Sequence, residues 1–168
     1  MTDLPKRKSN RVKSYDYTTC GAYFITVCTA NREKIFWKSV GADIIRPQNV
    51  PLSEIGEIVQ QSIWQIPEHY ENVFVDQYCI MPDHIHLIIR IGTDANGRMI
   101  SAPTMSTLVG SMKRWVSRQA GRSFWQKSFY DHCIRNQQDY DEIWQYIENN
   151  PLKYTLQRAE KGHHAPNS

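Results

Sequence analysis

The run MPDHIHLIIRI, Met81 to Ile91, sets His84 and His86 two residues apart in an otherwise apolar stretch. Side chains alternate along a strand. Ile85, Leu87, Ile89 and Ile91 therefore share one face, and aliphatics in register mark it as the core face. His84, His86, Ile88 and Arg90 share the other. Same-face neighbours on a strand lie roughly 6–7 Å apart at Cβ, so two imidazoles there can converge on one cation. Two ligands leave a divalent ion under-coordinated, and a third donor is required. Tyr146 and Asn150 stand four apart in a run with helical character, hence on one helical face. An amide oxygen is a reasonable ligand for a hard cation. A sheet face that tolerates imidazoles, and an amphipathic helix ending before Pro151, account for the same residues without a metal. On spacing alone that plainer account is the stronger.

The elements that must position these residues are legible from periodicity. YFITVCT, Tyr23 to Thr29, reads as a first strand, and most of Asn31 to Val50 as loop. Leu52, Ile55, Val59, Ile63 and Ile66 recur at helical spacing, with Pro67 ending the run. NVFVDQYCI, residues 72–80, reads as a second strand, the Pro82-Asp83 turn follows, and His84 to Ile91 completes a hairpin. A polar loop spans Thr93 to Pro103. Met105, Leu108, Val109, Met112, Trp115 and Val116 form a second helical stripe, capped by Thr104, with Lys113, Arg114 and Arg118 on its other face. FYDHCI, Phe129 to Ile134, is a short fourth strand. A last helix is predicted from about Gln137 to Asn150, capped by Asn136 and stopped by Pro151, with Tyr140, Ile143, Trp144 and Ile147 as its docking stripe. The order β-α-β-β-α-β plus a terminal helix predicts a ferredoxin-like (RRM-like) α+β fold. Its antiparallel sheet would carry helices on one face and leave the other partly open. The expected organisation is a basic flexible arm over residues 1–16, one domain over 17–158 and a polar tail over 159–168.

Composition bounds the function. The chain has 168 residues, 40% hydrophobic and 22% charged, as expected for one globular domain. No apolar run reaches the ~20 residues that span a bilayer, and the basic N-terminus lacks the apolar stretch of a secretory signal, so no membrane role and a cytoplasmic location are expected. Cys20, Cys28, Cys79 and Cys133 contain no C-x-x-C pair and read as unpaired thiols. Net charge is only +3, but its distribution is uneven. Between Asp94 and Asp131 there is no acid, while Arg98, Lys113, Arg114, Arg118, Arg122 and Lys127 are all basic; Lys6, Arg7, Lys8, Arg11 and Lys13 crowd the N-terminus. Two basic clusters on a nearly neutral chain favour a polyanion, nucleic acid in particular, over simple solubility.

Here a resemblance enters. MPDHIHLIIR resembles the His-hydrophobic-His motif of the single-tyrosine HUH transposases. SFYDHCIRNQQDYDEIWQYIENNPLKY and GAYFITVCTANREKIF are similar to the C-terminal and first-strand segments of that superfamily, in particular of REP-associated tyrosine transposases and their small insertion-sequence relatives. The likeness spans about residues 15–155. It implies that His84 and His86 are the metal-binding pair, that Tyr146 is the nucleophile, and that Asn150 completes the metal site.

The chemistry implied is cleavage of single-stranded DNA near a hairpin. A tyrosine hydroxyl attacks the scissile phosphorus, giving a 5′-phosphotyrosine and a free 3′-hydroxyl, and Mg²⁺ or Mn²⁺ acts as Lewis acid. A phenol with an ordinary pKa of ~10 needs help to ionise at neutral pH. Arg90 and the open sheet face would hold the single strand, while Lys113, Arg114 and Arg118 would contact a hairpin stem through its phosphates. Asp83 could orient a histidine or merely serve the turn, and Asp131 and His132 could point toward the site, one of them structurally. Relatives act as monomers or as homodimers. Two rival readings are a non-catalytic nucleic-acid-binding module on the same fold, and a metal-dependent hydrolase without a covalent step.

Overall fold

The computed structural model of the chain describes residues 21–38, 51–92 and 102–162. The predicted basic arm, residues 39–50 and 93–101, and His163 and His164 lie outside the described residues. Strands β1 (Gly21–Cys28), β2 (Val73–Ile80), β3 (His84–Ile91) and β4 (Tyr130–Ile134) form one antiparallel sheet in the order β2-β3-β1-β4. Helices α1 (Glu54–Trp64), α2 (Ile66–His69) and α3 (Met105–Gln119) follow in the connections, as a ferredoxin-like fold requires. Among the described residues no helix is long and apolar enough to cross a membrane, and Cys28, Cys79 and Cys133 are unpaired thiols.

The alternation read from β3 sets the main core. Ile85, Leu87 and Ile89 are fully buried against Tyr23, Ile25 and Val27 of β1 and against Val59, Ile63, Leu108, Met112 and Val116 of the helices. Each aliphatic side chain so buried contributes roughly 1.5–3 kcal/mol. Side chains cap the starts of α1 and α3: Thr104 Oγ1, the predicted cap, accepts from Thr107 N–H at 3.1 Å, and Ser53 Oγ, which the sequence reading did not single out, accepts from Gly56 N–H. Gly56 is required where α1 starts, because a Cβ there would stand 2.1 Å from the Phe36 carbonyl oxygen. Pro67 does not simply end a helix; it sits in the first turn of α2, where its missing N–H costs nothing.

Helix α4 (Gln137–Gly162) departs most from the sequence reading. It begins where predicted, with Asn136 Oδ1 accepting from Asp139 N–H at 2.9 Å. It does not stop at Pro151, which lies buried inside it, and so the first residues of the expected tail are helical. Contacts beyond the proline explain the continuation. The Tyr154 ring meets Trp37 at 5.4 Å, and Trp37 Nε1 donates to the Ile80 carbonyl at 2.7 Å. The second sheet face is partly open, as expected, and α4 covers the rest of it. Ile88 and Ile147 are fully buried there, joined by Cys79, Met81 and Ile134 in a second core with Phe24, Tyr140, Ile143 and Trp144 around it. A bulge in β2 between Val75 and Gln77 turns Asp76 toward this layer. Asp76 accepts from Tyr140 of α4 at 3.0 Å and from Arg90 of β3 at 2.9 Å, pinning the helix to the sheet edge.

Candidate active site

Strand register builds the site. Cys79, His86, Thr26 and Tyr130 are paired neighbours across β2, β3, β1 and β4 and form one row on the α4 face. His84 pairs with Cys28 one step nearer the strand end. The two imidazoles converge: His84 Nε2 and His86 Nε2 lie 3.1 Å apart. Each ring is held from behind. His84 Nδ1–H donates to Asp83 Oδ1 at 2.6 Å, and since a carboxylate only accepts, His84 presents a lone pair at Nε2. His86 Nδ1 lies 2.8 Å from Thr26 Oγ1, so a proton placed there likewise frees Nε2. Asp83 thus has the orienting role, and the turn also holds it, because Thr29 N–H and Oγ1 both donate to its carbonyl.

Both rings favour the neutral form that ligates metals. Burial pushes His86 down to about 3, and the cost of placing a second positive charge beside His84 and Arg32 adds to the effect. Burial also lowers His84, against the opposing pull of Asp83.

Tyr146 comes from α4 onto this pair. Its ring meets the His86 ring edge-on at 5.3 Å and the Phe24 ring at 6.0 Å, while Phe24 stacks on His86 at 5.3 Å. Tyr146 remains 46% exposed, so it is reachable from solvent. One turn later Asn150 carries a buried Nδ2 with no hydrogen-bond partner, an uncommon state for an interior amide. Three other tyrosines are placed differently. Tyr140 is bound to Asp76, with burial and that bond pushing its hydroxyl up to about 12, and Tyr154 packs on Trp37. Tyr130 stands beside Phe24 at 6.2 Å.

The residues present fit a divalent cation. Neighbouring ligand atoms on an octahedral ion with ~2.1 Å bonds stand about 3.0 Å apart, close to the observed Nε2–Nε2 separation. Among the described residues no cluster of three or more His, Cys, Asp or Glu could hold a metal ion. Among the described residues a third protein donor would therefore be of another kind, and Asn150, a half-buried amide one turn beyond Tyr146, is a candidate by its chemistry.

The basic residues are less uniform than the sequence implied. Arg90 is ion-paired with Asp76 and lies over Phe74 at 4.5 Å. Lys113 donates to the carbonyls of Gln126 and Ser128 at 2.7 and 3.2 Å, and burial lowers its pKa. Arg114 and Arg118 are exposed, Arg114 donating to Ser111 Oγ on its own helix. His132 binds Asp139 at 2.9 Å and ties β4 to the start of α4, while Asp131, on the alternate face of β4, is buried.

Arg32 escaped the sequence reading. Its Nε lies 3.0 Å from Asp83 Oδ2, and its Nη1 donates to Cys28 Sγ at 2.9 Å. It ends a short 3₁₀ turn, Ala30–Arg32, in which Asn31 and Arg32 both have positive φ, 54° and 56°. No local pattern marks an arginine that will meet a turn fifty residues away.

A family model described as an IS200-like transposase matches residues 17–150. The chain belongs to the IS200-like transposase family. A Haemophilus influenzae protein of uncharacterised function is 31% identical to this transposase over 165 residues, covering 87% of this chain and 88% of the relative. A second protein of that organism, named as a REP-associated tyrosine transposase, is 26% identical over 149 residues, covering 83% and 74%. Among solved structures, a REP-associated tyrosine transposase bound to a REP hairpin shares the fold, with a TM-score of 0.60 at 20% identity, covering 86% of this transposase and 74% of that chain.

Proposed function

We propose that this transposase cuts and rejoins single-stranded DNA through a covalent bond to Tyr146. The observation that carries the reading is the convergence of His84 and His86 at 3.1 Å directly beneath the half-exposed Tyr146 ring. His84 Nε2, His86 Nε2 and the Asn150 amide oxygen would hold Mg²⁺ or Mn²⁺. When bound, the ion supplies a Lewis acid for a non-bridging oxygen of the scissile phosphate. Tyr146 Oη attacks the phosphorus, loses its proton, and forms the P–O bond of a 5′-phosphotyrosine. The P–O3′ bond breaks, and the leaving oxygen takes up a proton as a 3′-hydroxyl. Because the phosphodiester's energy is kept, a 3′-hydroxyl can reverse the step and rejoin strands without ATP.

The substrate is single-stranded DNA bearing a hairpin. The solved relative binds a REP hairpin, and the acid-free basic stretch from Arg98 to Lys127 supports the same class of partner here. Arg114 and Arg118 would meet stem phosphates and Arg90 the single strand, while Lys113 would act mainly by holding the segment before β4 in place. Tyr146 rests on His86 of its own chain, so a monomer suffices, the homodimer with exchanged helices being the alternative. A cytoplasmic protein acting on chromosomal DNA is the setting this chemistry needs.

The test is a denaturing gel. Wild-type protein, Mn²⁺ and a 3′-labelled hairpin oligonucleotide should give a labelled protein band. Tyr146→Phe should give none, while Tyr140→Phe and Tyr154→Phe should retain it. A band that persists in Tyr146→Phe would show that another group is the nucleophile.

A further inference from the structure

The aromatic cluster at the site has a member that the cleavage chemistry does not use. Tyr130 is 44% exposed, close to the 46% of Tyr146, and the two rings flank Phe24 at 6.2 and 6.0 Å, both steeply inclined to it. Register fixes Tyr130 at this place. It pairs with Thr26, whose hydroxyl holds His86 Nδ1, so Tyr130, Thr26 and His86 lie in one row across β4, β1 and β3. Helix α4 packs mainly over β2 and β3, and Tyr130, the first residue of β4, stays half-exposed at the edge of the site. The Tyr140 hydroxyl is bound to Asp76 and the Tyr154 ring packs on Trp37 away from the histidine pair, whereas Tyr130 meets the same Phe24 ring as Tyr146 and stays half-exposed beside it.

We propose that Tyr130 is a nucleobase-stacking residue that seats the single strand beside Tyr146. This rests on the reading of the site as one that takes single-stranded DNA. A flat, half-exposed ring on a rigid strand offers a platform to any base, because every base has a π face. It does so next to Phe24, which also supports the attacking ring, so the nucleotide held by Tyr130 would lie close to the scissile phosphate. The contribution is to positioning and affinity, not to chemistry at phosphorus. The ring is what matters, and the hydroxyl is dispensable.

The test is a binding cycle on the full chain in EDTA, so that cleavage does not interfere. The probes are a fluorescent hairpin oligonucleotide with a mixed-sequence single-stranded tail, and the same hairpin with an abasic tail. Tyr130→Ala should weaken binding to the base-bearing tail roughly ten-fold or more, the scale of one lost base stack, and leave the abasic tail unaffected. Tyr130→Leu, which keeps apolar bulk without a flat face, should behave like Tyr130→Ala and guards against a misfolded variant. Tyr130→Phe should restore the wild-type ratio between the two probes. Equal losses on both tails, no loss on the base-bearing tail, or a Phe variant as weak as Ala would each overturn the proposal. The covalent-adduct gel reports separately: absence of any adduct with wild-type protein sinks the cleavage reading and leaves a base-dependent Tyr130 effect standing.

Discussion

At the residue scale, Asp83 turns a pair of histidines into a candidate ligand pair. Its carboxylate fixes the proton of His84 on Nδ1, and Arg32 fixes the carboxylate. Residues that orient a ligating imidazole typically matter 10–100-fold for metal affinity. Asp83→Asn should therefore weaken Mn²⁺ binding by about that factor in calorimetry, since an amide can also present an N–H and no longer dictates the tautomer. Arg32→Ala should give a smaller loss in the same direction. Unchanged Mn²⁺ affinity in both variants would reduce Asp83 to a turn residue. His84→Ala and His86→Ala should abolish Mn²⁺ binding and adduct formation while leaving hairpin affinity largely intact, because phosphate contacts lie elsewhere. If hairpin binding fell in step with cleavage in a folded variant, the histidines would be DNA contacts instead.

At the element scale, the question is what holds α4 so that Tyr146 meets His86. Its first half is tied by Tyr140 to Asp76 in the β2 bulge and by Asp139 to His132, and its second half by Tyr154 against Trp37. Tyr140→Phe keeps the ring and removes one hydrogen bond to a carboxylate that Arg90 still partners, so it should cost about 0.5–1.5 kcal/mol in denaturant unfolding. Adduct formation should survive. A loss of adduct from this variant, with the fold intact, would mean that the helix register depends on that single bond.

At the scale of the whole molecule, the proposed monomer brings Tyr146 and the histidine pair together within one chain. Mixing His86→Ala with Tyr146→Phe should then restore no cleavage, because neither chain has a complete site. Recovery of activity in the mixture would reveal helices exchanged between subunits. The charge distribution makes a second expectation. Arg114→Gln and Arg118→Gln should each reduce the slope of log affinity against log salt by about one unit or less. Lys113→Gln should instead lower stability, because its ammonium holds the backbone of Gln126 and Ser128. A full salt-slope change from Lys113 with unaltered stability would reverse that assignment.

Sequence alone determined what local periodicity controls. The alternation in HIHLIIRI placed Ile85, Leu87 and Ile89 in the core and both histidines on the far side, and Thr104 and Asn136 marked helix starts that their side chains do cap. That His84 and His86 share a strand face, and that Tyr146 and Asn150 stand one turn apart on a helix, was legible because each pair lies on one element with a fixed repeat. What covers a face is not a local property. Only the tertiary structure decided that α4 lies over Ile88, that it runs through Pro151, and that Asp76 bulges toward it. A proline disfavours a helix interior by removing one N–H and crowding the preceding turn. Here Trp37 and Tyr154, more than a hundred residues apart, meet at 5.4 Å beyond that point, and such packing is invisible to any window of sequence. Arg32 reaches Asp83 for the same reason: the register of β1 against β3, set by their buried faces, brings the end of one strand to the start of the other.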